Sequence, residues 1–75
     1  MPTTEQLEGA AARRRIVLDK IRDKIAEDGY PPSVGELADA TGVSKLTTRR
    51  DLRALALSGA IEVDAGVARG IRLRP

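Results

Sequence analysis

The 75-residue chain has no cysteine, no histidine, no phenylalanine and no tryptophan, and its one aromatic residue is Tyr30. Without cysteine it can form neither a disulfide nor a thiolate metal site. Without histidine as well, zinc and most nucleophile–base pairs lose their usual residues. The carboxylates fall among basic residues on helix faces, where they read as solvating charge. The expectation is a protein that is not an enzyme and holds no metal or cofactor. A single aromatic is too few to grip single-stranded nucleic acid by base stacking. Tyr30 is expected instead to act as a lid over the first helix. No apolar run approaches the ~20 residues a membrane helix needs. The N-terminal MPTTEQLEG lacks the apolar core of a secretory signal, so the expected location is the cytoplasm.

What is present is aliphatic and charged. The length suits one domain, residues 1–75, with a core of Leu, Ile, Val and Ala. The net charge is only +2, a weak sign of nucleic-acid binding by itself. The distribution is more telling. Residues 1–12 carry two acids and no base. Lys45 to Arg53 holds four bases and one acid, and Arg69 to Arg74 holds three arginines and no acid.

Periodicity predicts three helices and a hairpin. The first helix begins near Thr3 or Thr4 and runs to about Asp28, where Gly29 stops it. Val17, Leu18, Ile21 and Ile25 form its apolar stripe. Residues 1–15 form an extension whose Leu7, Ala11 and Ala12 offer a weak seam for a homodimer. Tyr30-Pro31-Pro32 is a rigid connector. Ser33 and Glu36 make a capping box that opens a short helix, about Val34 to Ala40, with Val34, Leu37 and Ala38 inward. Thr41-Gly42 ends it, and Val43 is expected in the core. Ser44 caps a third helix, Lys45 to about Leu57, which buries Thr48, Leu52, Leu55 and Ala56. From residue 60 to 74 the period drops to two: Ile61 and Val63, then Ile71 and Leu73, form the apolar face of a hairpin wing. Gly70 is expected to need a positive φ.

This order is mostly α with a small β-hairpin: a winged helix-turn-helix with three helices and a two-stranded wing. A short turn before the third helix lets that helix project as a probe. The ~12 Å major groove of B-DNA admits one such helix. The expected partner is double-stranded DNA.

The segment from Ile16 to Leu73 resembles the DNA-binding domain of LexA-type SOS repressors. The matching pieces are IRDKIAEDGYPPS, ELADATGV and GAIEVDAGVARGIRL. The third helix departs from that type, and VSKLTTRRDLRALALSGAI is closer to the recognition helix of DeoR-type regulators. The resemblance implies the same fold twice and a sequence-specific DNA-binding repressor. The departure means that the LexA-type operator does not carry over. Neither the self-cleaving peptidase domain of the one type nor the effector domain of the other is matched, so self-cleavage and sugar sensing are not implied. A stand-alone form of this length suits a phage or mobile-element regulator that occupies a promoter. Two alternatives stand beside this reading: a DNA-architectural or excision cofactor, and a winged-helix protein-interaction module.

The candidate DNA-binding residues are Ser44, Lys45, Leu46, Thr47, Arg49, Arg50, Arg53 and Arg69. Arg50 and Thr47 are candidates for base contact, although Arg50 could meet only phosphate. Ser44, Lys45, Arg49 and Arg53 suit phosphates, and Arg53 could instead pair with Asp51 or Glu62. Leu46 could rest on a thymine methyl or pack on the second helix. Leu57 points outward at the helix end and is expected to pack within the subunit. Arg69 at the wing suits phosphate or minor groove, or is a solvated turn residue. Arg72 is expected opposite Glu62. Arg13, Arg14 and Arg15 spread around a helix, so a phosphate clamp is not expected of all three.

Overall fold

The computed structural model describes residues 4–64, 66–67 and 69–74, with the backbone alone for residues 4–8. Thr3 and the Leu7 side chain, invoked above for a cap and a seam, lie outside the described residues. Helix α1 spans Thr4–Asp28, α2 Val34–Thr41 and α3 Lys45–Leu57; strands β1 (Ile61–Val63) and β2 (Ile71–Leu73) follow.

Local chemistry sets these boundaries. Gly29 adopts φ 79° and its N–H donates to the Ile25 carbonyl at 2.9 Å, closing α1 in the left-handed turn that glycine takes without strain. The Ser33 hydroxyl oxygen accepts from the Glu36 N–H at 3.1 Å, the expected cap of α2. Ser44 caps α3 in the same way, accepting from the Thr47 N–H at 3.1 Å. Between these helices Gly42, in the left-handed region, donates to the Ala38 carbonyl, and Val43 donates to the same oxygen. The turn is thus only three residues long.

One apolar cluster holds the elements together. Val17 and Ile21 of α1, Leu37 of α2, Leu52 and Leu55 of α3, Ile61 of β1 and Ile71 of β2 are buried. Leu18, Ile25, Val34, Ala56 and Ala60 pack around them. Each fully buried aliphatic side chain contributes about 1.5–3 kcal/mol. The strands pair antiparallel, with Ile61 opposite Leu73, Glu62 opposite Arg72 and Val63 opposite Ile71.

Four expectations change. Val43 is half-buried, because it sits in the turn rather than beneath it. Leu57 is 81% exposed, since α3 has passed the edge of the core by its last turn. Only one residue per strand is buried. Ile61 and Ile71 reach the cluster, whereas their cross-strand partners Leu73 and Val63 stay exposed. Gly70 does not take a positive φ; Gly66 and Arg69 do. Gly70 is required for space, because a Cβ there would lie 2.6 Å from the Asp64 carbonyl oxygen and 2.9 Å from that of Val67.

The architecture is a winged helix-turn-helix. Among the described residues no helix is long and apolar enough to cross a membrane, and no cluster of acidic side chains could hold a metal ion.

Candidate nucleic-acid interface

Helix α3 divides by angle. At about 100° per residue, Leu46, Arg50, Arg53 and Leu57 fall on one stripe, flanked by Arg49 and Thr47. All are exposed except Thr47, which is half-buried. Lys45 and the capping Ser44 are exposed at the helix start. Leu46 is 56% exposed, so more than half of its surface is open to a partner. The opposite stripe, Thr48, Asp51, Leu52 and Leu55, is buried. Thr48 is accommodated there because its hydroxyl donates to the Ser44 carbonyl at 3.1 Å.

Asp51 is the only acid of α3, and it is completely buried. Arg13 of α1 donates to it twice, Nε to Oδ2 at 2.6 Å and Nη2 to Oδ1 at 2.9 Å. Arg14 Nε reaches Oδ1 at 3.1 Å. Burial alone would push the Asp51 carboxyl up, but the hydrogen bonds and charges of Arg13 and Arg14 outweigh it, and the net shift is downward. The Asp51 hydrogen bond in turn raises Arg13. Sequence periodicity missed this. An aspartate among arginines reads as solvent-facing, and its partners lie near the other end of the chain.

The pairing leaves positive charge alone on the outer side of α3, interspersed with Leu46, Thr47 and Leu57. Lys45, Arg49, Arg50 and Arg53 have no carboxylate partner among the described residues, so the expected alternative pairs of Arg53 do not form. Elsewhere the cations are largely matched. Arg22 meets Asp19, Lys24 meets Asp28 and Glu36, and Arg72 and Arg74 both meet Glu62. The Arg72–Glu62 pair agrees with the expected register. The same geometry turns Arg13 and Arg14 toward Asp51, Arg13 through two donors and Arg14 through one.

A cleft of about 590 Å³ separates α3 from the wing. Its apolar lining comes from Val34, Leu52, Ala56, Val63 and Val67, and Arg49, Arg53, Asp64 and Gly66 complete it. Val63 and Val67 were not among the expected site residues. Val67 in a turn, with no core beneath it, was the available signal.

Arg69 does not extend outward. Its Nη1 donates to the Pro31 carbonyl at 3.0 Å and its Nη2 to the Glu36 carboxylate. Its guanidinium lies 5.0 Å from the centre of the Tyr30 ring, and Lys24 Nζ lies 5.2 Å from the same ring. Tyr30 is therefore a cation-binding surface at the end of α1 rather than a lid, and it remains 45% exposed.

Comparison with known proteins agrees with this geometry. Residues 7–70 match the family described as the LexA DNA binding domain. The LexA repressor of Teredinibacter turnerae is 51% identical over 63 residues, covering 83% of this chain and 32% of the relative. Those of Bordetella avium (46%, over 83% of this chain and 30% of the relative) and Halorhodospira halophila (47%, over 81% and 27%) are similar. The chain thus spans about a third of the length of these relatives. They are bacterial repressors and lend no support to a phage or mobile-element setting. The extent of the family match, over residues 7–70, and the 51% identity to a LexA repressor make this chain a member of the LexA DNA-binding domain family.

Proposed function

We propose that the chain binds duplex DNA sequence-specifically by laying the outer stripe of α3 in the major groove, and that it represses transcription by occupying a promoter. The observation that carries this is the set of four cations, Lys45, Arg49, Arg50 and Arg53. Among the described residues they have no acidic partners, and they stand on one exposed helix face while the helix's only acid is turned inward. Phosphate contacts from Lys45, Arg49 and Arg53, with Ser44 at the helix start, supply most of the affinity, which falls steeply with salt. Arg50 reads guanine, and Leu46 and Thr47 meet the neighbouring base edges. The chain does no chemistry in this role, and its ligand places it with the nucleoid in the cytoplasm.

The test is selection of bound duplexes from a random pool at moderate salt. One recurring motif is expected. Retention of duplexes without any preference would overturn sequence-specific reading, and no retention even in dilute buffer would overturn DNA binding. Motif symmetry also reports on stoichiometry. A homodimer through the start of α1, where Ala11 and Ala12 are exposed, would select a palindrome with half-sites about one helical turn apart.

A further inference from the structure

The wing tip carries a conformational oddity. Arg69 sits at φ 55°, a left-handed backbone conformation that side-chain-bearing residues seldom adopt. Asparagine or glycine would accept that conformation more readily. The turn around it is tightly wound: the Asp64 N–H donates to the Gly70 carbonyl at 2.7 Å, and the Gly70 N–H to that of Val67 at 3.1 Å. An arginine in this place needs a reason, and its side chain supplies one. It spans 38 residues of sequence to reach Pro31 and 33 to reach Glu36, and it lies on Tyr30. These contacts join the wing to the end of α1, the proline connector and the first turn of α2.

Glu36 is the hub. Its N–H donates to the Ser33 cap, its carboxylate accepts from the Ser33 hydroxyl at 3.3 Å and from Arg69, and Lys24 stands 3.8 Å away. The Arg69 hydrogen bond holds its carboxyl below the usual glutamate value.

We propose that Arg69 is a positioning residue: docked on Tyr30, Pro31 and Glu36, it fixes the wing at a set distance from α3 and carries no phosphate itself. What it positions is the cleft wall formed by Val63 and Val67, facing Arg49 and Arg53. A duplex strand passing between helix and wing meets a gap whose width this tether sets. The inference rests on the reading of α3 as the duplex-binding helix.

Two side-chain changes separate positioning from contact because they carry opposite charge consequences. Glu36→Gln removes a negative charge, so electrostatics alone would tighten DNA binding, and glutamine still serves at this position of a capping box. A positioning role predicts the reverse: Glu36→Gln weakens binding of the selected duplex roughly twofold to fivefold, the scale of one partly exposed ion pair. Arg69→Gln should weaken it to a similar extent, with the slope of log affinity against log salt unchanged. Arg69→Lys keeps the charge but lacks the planar fork, and it should not restore affinity.

The measurement is affinity of the full chain and each variant for that duplex across a salt series, with thermal unfolding alongside. A slope shallower by about 0.9 in Arg69→Gln, full rescue by Arg69→Lys, or tighter binding by Glu36→Gln would show a direct phosphate contact and overturn the proposal. Variants that lose thermal stability while keeping wild-type affinity would show a purely structural role and would overturn it too. A wild-type chain that binds no duplex indicts the DNA-binding reading itself, a different result from any of these.

Discussion

Arg13 holds Asp51 in a two-point grip across 38 positions of sequence, fastening the first half of α1 to the buried side of α3. The carboxylate is fully enclosed, whereas the guanidinium keeps some contact with water. Removing one partner of such a pair costs more than the pair contributes, because a charge is left buried. With Arg14 still in place at 3.1 Å, Arg13→Ala should destabilise the fold by about 2–3 kcal/mol. Thermal unfolding checks this, since each kcal/mol shifts the midpoint of a domain this small by about 4–8 °C. A variant melting with the wild type would show that the grip contributes nothing.

Acid should act on the same pair. The Asp51 carboxyl lies below its ordinary value of 3.8, so the folded state binds that proton less readily than the unfolded chain. The resulting stability is fully present above the ordinary value and is lost as pH falls through the lowered one. Unfolding free energy should therefore decline below about pH 4, and Asp51→Asn should flatten part of that decline. Equal slopes in the two proteins would remove Asp51 as the cause.

Arg50 and Arg53 share a stripe yet should fail differently. Arg50→Ala is expected to relax preference at one or two base positions by about 1–3 kcal/mol. Arg53→Ala should weaken all duplexes alike and reduce the salt slope by about 0.9. Repeating the duplex selection with each variant distinguishes the two roles, and a uniform loss for Arg50→Ala would make it a backbone contact.

Gly70→Ala places a methyl group against the carbonyls of Asp64 and Val67, and backbone atoms there have little room to yield. The strain should cost about 1–3 kcal/mol. Hydrogen exchange of the hairpin amides should report it, with the three helices unaffected. Protection equal to wild type would mean that the turn rearranges freely.

Leu57→Gln should be nearly silent, within about 0.5 kcal/mol, because the side chain has so little contact to lose. A sedimentation profile that changes with concentration in the wild type and not in the variant would instead make Leu57 part of a self-association face.

The helices and strands were legible because their signals are local. Ser33, Ser44, Gly29 and Gly42 announce ends of helices within a few residues, and the change of apolar spacing after Gly59 announces the hairpin. The cationic face of α3 was equally plain. What stayed hidden depends on distant partners. Nothing near Asp51 says that two arginines of α1 will neutralise it, and nothing near Arg69 says that Glu36 and Tyr30 will draw it inward. Periodicity also overstated the burial of Leu73 and Val63. A hairpin's alternate residues share a face, but the core reaches only part of that face.

The shortness of the strands bears on how the molecule behaves in crowded solution. Three residues on each side give an incoming chain little backbone to pair with, and Arg72, Arg74 and Glu62 surround that edge with charge. Short charged edges resist the strand-by-strand stacking that leads to fibres. The wing can therefore leave Val63, Val67 and Leu73 open to solvent without becoming a seed for precipitation.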